Sequence, residues 1–187
     1  MMFSRLLFVS LFVPLFSVSA ENLFPDVDSS HIYYEALEYG KTQNIIEGYA
    51  SESDNFRPER IINRAEFLKI LFSALESDQS MIDNCYLPHY ANFPDVNEDQ
   101  WFYHYVCMAY RHQVIEGYED GTFRPGQKIT AAEAMKILSL SFLKDSVGTS
   151  LRSNIWFEPY VWAMTSKNAI PNEIPSSGAN ITRAQMM

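Results

Sequence analysis

Basic residues are scarce. The 187 residues include 14 Lys and Arg against 23 Asp and Glu, a formal charge of −9. No basic patch stands out to neutralise phosphates, which argues against nucleic acid as a partner. The same acidity argues against adhesion to an anionic membrane surface. Long apolar runs are missing after residue 20, so no later segment is expected to cross a bilayer. A phosphate-cradling glycine loop is absent. Four histidines, His31, His89, His104 and His112, belong to no recognisable nucleophile motif. Glu47 and Glu116 recur with an internal repeat, whereas a glycosidase's acid pair is needed only once and would break it. No enzymatic activity and no cofactor are expected.

What is present is apolar and aromatic. Hydrophobic residues make up 47% and aromatics 14% of the chain, enough to bury a core. The first twenty residues, MMFSRLLFVSLFVPLFSVSA, carry Arg5, an apolar run from Leu6 to Phe16, and the small residues Val18-Ser19-Ala20. The run is too short to span a membrane and contains Pro14, so 1–20 reads as an export signal peptide cut after Ala20.

Export decides how the chain's two cysteines are read. In an oxidising compartment Cys85 and Cys107 tend to pair as a disulfide. Two other readings stay open. Cys85 with His89 and His104 with Cys107 have the spacing of a Cys2His2 zinc site, and two buried thiols are the third choice.

The chain repeats itself. Phe24-Pro25-Asp26-Val27 returns as Phe93-Pro94-Asp95-Val96, and Ile45–Tyr49 returns as Val114–Tyr118 at the same offset. Phe56-Arg57-Pro58 returns as Phe123-Arg124-Pro125, and Ile62–Glu66 as Ile129–Glu133, at an offset two residues shorter. A loop between the two blocks absorbs that change cheaply. A third, partial copy keeps Trp156-Phe157, Tyr160-Val161 and Ile181-Thr182-Arg183-Ala184-Gln185. It lacks the Gly-Tyr and Phe-Arg-Pro elements, reads as truncated, and has Ser177-Gly178 where the Gly-Tyr turn would be. The resulting division is 1–20 signal peptide, 21–79 first copy, 80–146 second copy with a preceding linker, and 147–187 partial third copy.

Each copy reads as helix, turn, loop, helix. Trp101, Phe102, Tyr105, Val106 and Ala109 form one apolar stripe, which predicts a helix over Trp101–Gln113. Trp101 and Trp156 are expected in the core with Tyr105 and Tyr160; stacking on a sugar is the alternative. Gly117 and Asp120-Gly121 mark turns. Pro125 is expected to keep Arg124 extended. Asp26 and Asp95 are expected to cap or order the entry of each first helix. A second helix is expected over Thr130–Leu143, opened by a capping box of Thr130 with Glu133. Asn63 with Glu66 and Thr182 with Gln185 repeat that box, each worth about 1 kcal/mol. A helix pair this small cannot hide its apolar side, so neighbouring copies must pack together.

These motifs, FPDV, WF..YV, VIEGYEDGTFRP and ITAAE, closely resemble the S-layer homology domain, over nearly all of Phe24–Met187. The resemblance implies an all-α fold of tandem helix-loop-helix repeats packed as a pseudo-threefold bundle. It also implies an exported protein held non-covalently on a cell-wall polysaccharide, at the cell wall or cell surface of a bacterium. In well-studied members that glycan is a secondary cell-wall polymer, often bearing pyruvyl groups. The family's Thr-Arg-Ala-Glu segment contributes to its glycan groove, and Arg64 and Arg183 match its arginine.

Physics points to the same place. A cation at the first helical position faces the positive end of the helix dipole and costs about 0.3–1 kcal/mol. Alanine, present at Ala131, would be more stable there, and it puts a second glycan site in doubt. Two amides at each helix start are expected to stay free and, with the guanidinium, to bind a carboxylate. The plainer reading is that Arg64 pairs with a glutamate on the surface. The candidate glycan-binding residues are Arg64, Arg183, Gly48, Gly117, Asp120, Gly121, Trp101 and Trp156. The rival functions are an envelope component that has lost glycan binding and the anchor of a longer surface enzyme.

Overall fold

A computed structural model describes residues 23–76, 78–89, 91, 93–147 and 154–187. The proposed signal peptide, 1–20, lies outside the described residues. Among the described residues there are six α-helices: α1 Tyr34–Thr42, α2 Arg64–Leu75, α3 Gln79–Asp83, α4 Tyr103–Arg111, α5 Ala131–Phe142 and α6 Glu158–Ser166. Short 3-10 turns occur at Ala50–Glu52, Lys144–Ser146 and Ala184–Met186. Among the described residues there is no strand, only isolated bridges, so the protein is all-α.

The two long helices form where the capping signals lie. At α2 the Asn63 side chain accepts the amide of Glu66 at 2.8 Å, and Glu66 accepts the amide of Asn63 at 3.0 Å. Thr130 and Glu133 do the same at α5, at 3.3 and 3.0 Å. Thr182 and Gln185 also exchange both bonds, but they open only the 3-10 turn Ala184–Met186. The expected helix over Trp101–Gln113 is shorter in fact. Trp101 and Phe102 lie in the turn ahead of α4, and Gln113 leaves it with φ of +58°.

The core is a single apolar cluster in which Phe24, Phe56, Phe67, Phe72 and Phe123 are fully buried. Each contributes about 1.5–3 kcal/mol by leaving water. Its centre is a ring of backbone hydrogen bonds. The amide of Ile62 donates to the carbonyl of Ile181 at 3.1 Å, that of Ile181 to Ile129 at 3.2 Å, and that of Ile129 back to Ile62 at 3.2 Å.

The helix starts continue this hand-to-hand pattern. The amides of Arg64 and Ala65 donate to the carbonyls of Gln127 and Pro125, at 2.9 and 3.0 Å. Those of Ala131 and Ala132 donate to Ala179 and Ser177, both at 2.8 Å. Those of Arg183 and Ala184 donate to Arg60 and Pro58, at 2.9 and 3.0 Å. The amides expected to be free for a ligand are therefore spent on the next copy's loop, because buried N–H groups must find partners. Ser177 and Ala179 stand in for the Arg-Pro loop, not for the Gly-Tyr turn. The outer helices keep the same order: α4 packs on α2, and α6 on α5.

Candidate functional site

Two aspartates shape the loops that border the site. Asp26 accepts the amides of Phe56 and Arg57, both at 2.7 Å. Asp95 accepts those of Phe123 and Arg124, at 2.9 and 2.6 Å. Neither caps a first helix, contrary to expectation. Each reaches about thirty residues along the chain and clamps the Phe-Arg pair of its own copy. The clamp overrides the preference imposed by the following proline, for Arg57 and Arg124 sit in the left-handed region at φ +59° and +60° rather than extended. Arg57 is then free to pair with Glu52, and Arg124 with Asp120 at 2.9 Å. Bonds from Thr122 and from Arg124 hold the Asp120 carboxyl well below the usual carboxylate range. Asp120 and Gly121, whose φ is +80°, thus form an exposed, internally bonded turn.

Three of the candidate residues meet in one groove. A cavity of about 330 Å³ is lined by Gly48, Tyr49, Glu66, Lys69, Trp101 and Arg183, with Ile45, Ile46, Glu47 and Ile70 behind them. The turn ahead of α4 sets Trp101 there, 55% exposed. Trp101 is therefore not a core residue, and neither is Trp156 at 54% exposure. The reason is that the buried side of α4 is carried by Val106, Cys107 and Ala109, leaving the tryptophan on the rim. Gly48 is required by close approach, since a Cβ there would lie 2.1 Å from the Asp54 carbonyl oxygen.

Arg183 forms the groove's inner wall. Its guanidinium lies 4.5 Å from the Tyr49 ring and 4.3 Å from the Phe56 ring. One nitrogen, Nη2, donates to the Glu47 carbonyl at 3.1 Å. Among the described residues no carboxylate lies within ion-pair distance of it. The acids nearby are engaged elsewhere: Glu66 with Arg60 at 2.7 Å, and Glu47 with Lys69 at 2.5 Å. Of the five N–H donors an arginine carries, the Glu47 carbonyl uses one.

Arg64 occupies the matching position toward the second copy and is used differently. It lies 5.0 Å from the Tyr118 ring and 4.7 Å from the Phe123 ring. Its Nε donates to the Phe123 carbonyl at 3.0 Å, and Nη1 meets Glu133 at 3.3 Å. Burial lowers its pKa, with the charges on Tyr118 and Glu133 opposing. Arg64 does pair with a glutamate, but in the interior rather than on the surface. Burial resists ionisation of Glu133, yet bonds from the Thr130 amide, Tyr118 and the Thr130 hydroxyl, together with Arg64, pull its pKa below the ordinary value. Tyr118 donates to Glu133 at 2.6 Å, and burial with that bond raises its own pKa. Gly117 packs against Phe93 with φ of +85°. The third such position is Ala131, which brings no cation.

The structure thus gathers Gly48, Trp101 and Arg183 in one groove and sets Arg64 against Glu133 beside Tyr118. Trp156 packs edge-on against Phe157 at 5.5 Å. Lys69 and Glu66 also line the groove, and sequence reasoning missed them. Their signal was present, because Lys69 and Lys136 hold equivalent places, and Lys136 pairs with Glu116 as Lys69 does with Glu47.

Cys85 and Cys107 are joined in a disulfide that ties the segment after α3 to α4. His104 Nδ1 lies 2.8 Å from the Cys85 carbonyl oxygen. The zinc and free-thiol readings are thereby overturned: both sulfurs are spent, and among the described residues no group of His, Cys, Asp or Glu could hold a metal.

Residues 23–68 and 92–135 match the family model of the S-layer homology domain. The chain is 33% identical over 116 residues to "Cell surface glycoprotein 1" of Acetivibrio thermocellus, covering 62% of this chain and 5% of that protein. It is 30% identical over 118 residues to the "Cellulosome-anchoring protein" of the same organism, 63% of this chain and 25% of the other. It is 30% identical over 91 residues to "Outer membrane protein alpha" of Thermotoga maritima, 48% and 19% respectively. The chain spans a quarter or less of the length of these relatives.

Proposed function

Since this chain belongs to the S-layer homology domain family, we propose that it is a bacterial cell-envelope anchoring module that binds a cell-wall polysaccharide non-covalently. Its place is the cell surface, as the name of one relative states for that protein and the anchoring role in another's name accords with. Residues 1–20 direct export. The polysaccharide is of the secondary cell-wall polymer type. The copies, divided at 21–79, 80–146 and 147–187, surround the isoleucine ring as an approximately threefold bundle, and the cyclic hand-over of helix-start amides supports that arrangement.

The observation that carries the binding role is Arg183, a buried guanidinium with no carboxylate in ion-pair distance among the described residues, lining one groove together with the exposed Trp101. An acidic substituent on a sugar pairs with Arg183, and the sugar's C–H face stacks on the indole. Gly48, in the groove's lining, lets the backbone pass close to Asp54. The net charge gives no long-range attraction for an anionic polymer, so recognition is local. Arg64, with Gly117, Asp120 and Gly121, braces the second copy, and Trp156 offers only a weaker aromatic surface. A rival reading, in which glycan binding has been lost, draws on Arg64 being consumed by Glu133 and on Ala131.

Retention of the full chain on purified cell-wall sacculi tests the reading. The wild type is retained, and Arg183→Ala and Trp101→Ala wash through with unchanged far-UV circular dichroism. A wild-type chain that washes through, or undiminished retention of Arg183→Ala, overturns it.

A further inference from the structure

Arg183 and Arg64 stand in equivalent settings but end differently. Each guanidinium lies against a tyrosine and a phenylalanine of another copy: Arg183 against Tyr49 and Phe56, Arg64 against Tyr118 and Phe123. The capping glutamate of that copy is close by in both cases. Glu66 lines the groove together with Arg183, and Glu133 meets Arg64 at 3.3 Å. Only the second arginine pairs with its glutamate.

Each glutamate has one oxygen to offer a cation, because the other is committed to its capping box. Oε2 of Glu66 accepts the Asn63 amide at 3.0 Å. Oε2 of Glu133 accepts the Thr130 amide at 3.0 Å and the Thr130 hydroxyl at 2.9 Å. The remaining Oε1 of Glu133 accepts Tyr118 at 2.6 Å and takes Arg64. Oε1 of Glu66 instead takes Nη1 of Arg60 at 2.7 Å, and the same nitrogen donates to the Tyr49 hydroxyl. The place of Arg60 is held in the second copy by Gln127. Gln127 donates to the Tyr118 hydroxyl at 2.8 Å but carries no charge, so Glu133 is left for Arg64.

We infer that Arg60 is the residue that keeps Arg183 available to a ligand, by occupying the one oxygen of Glu66 that Arg183 would otherwise take. A single Arg-for-Gln difference between copies thereby decides which groove presents a free cation. Arg60 acts through Glu66 and is a positioning residue. Its consequence for binding rests on the anchoring role proposed above, whereas the choice of ion pair does not.

The test removes the charges without removing the cap. Glutamine serves in the box at Gln185, whose Oε1 accepts the Thr182 amide at 3.0 Å, so Glu66→Gln keeps the helix start. Arg60→Gln copies the arrangement the second copy already has. Urea midpoints are measured for Arg183→Ala, Glu66→Gln and the two together, in the native chain and in Arg60→Gln. The two shifts add in the native chain and fail to add in Arg60→Gln, where Arg183 and Glu66 have paired. Additivity in both backgrounds, or equal non-additivity in both, overturns the inference and leaves the anchoring role standing.

On purified sacculi, Arg60→Gln lowers retention about tenfold, the scale of a lost charge-assisted contact. Adding Glu66→Gln to that variant restores it. Lys167→Gln, exposed and outside the groove, also removes one cation and leaves retention unchanged. No restoration by Glu66→Gln, or an equal loss in Lys167→Gln, overturns the inference. A wild-type chain that washes through overturns the anchoring role instead, and the urea series still decides what Arg60 does.

Discussion

Asp95 holds Arg124 by its backbone. One carboxylate oxygen accepts the Arg124 amide at 2.6 Å while the residue sits at φ +60°, and Asp26 holds Arg57 in the same way. A non-glycine residue in that region costs about 1–3 kcal/mol and persists only where its surroundings impose it. The bent loop that results sends the carbonyls of Pro125 and Gln127 onto the first amides of α2. One aspartate thereby fixes a contact between copies.

Asp95→Ala is expected to destabilise the fold by about 2–4 kcal/mol, because two amides lose charge-assisted partners. Asp95→Asn keeps one acceptor oxygen and loses less. Urea titration followed by circular dichroism measures both. A change under about 0.5 kcal/mol for Asp95→Ala, the range of ordinary surface substitutions, would sink the clamp.

Removing the disulfide by Cys107→Ser is expected to cost about 2–4 kcal/mol, from restored freedom of the unfolded chain. Thermal melts of that variant against the oxidised protein give the value. Intact mass before and after reduction should differ by two hydrogens.

Acid stability is expected to depend on Glu133. Its folded-state pKa lies below the unfolded value, so its contribution is present above the ordinary glutamate range and is lost as pH falls through the folded pKa. Glu133→Gln should flatten the stability profile over that acidic interval, measured by urea midpoints from neutral pH downward. An unchanged slope would mean the carboxylate is not stabilising the folded state.

Arg183→Lys separates charge from shape. Lysine keeps the cation but loses the planar fork and the stacking on Tyr49 and Phe56. Retention on sacculi should fall about tenfold while the melting temperature moves by only a few degrees. Arg64→Ala should behave oppositely, lowering stability by about 2–3 kcal/mol because Glu133 is left without its cation. Equal effects of the two on retention would show that Arg64 shares the binding role proposed for Arg183.

The helical repeat and its start signals are legible in the sequence. Asn63, Thr130 and Thr182 with their partners three residues on are local motifs, and local hydrogen bonding needs no knowledge of the rest of the chain. The cysteine pair reads only as a preference, because pairing depends on the distance between two segments. Trp101 defeats the helical pattern because spacing says which residues share a stripe but not where the helix begins. Here α4 begins two residues later, which places the ring on the rim.

The sequence by itself determined the three isoleucine-led helix starts, the all-α character and the candidate arginines, all of them written within short windows. Tertiary structure alone decided what each arginine does. Arg64 and Arg183 have nearly the same neighbours in sequence, yet one is neutralised by Glu133 and the other is left facing a groove without an anion. That difference arises because each arginine meets the loop of another copy, and electrostatic environment is set by what lies nearby in space.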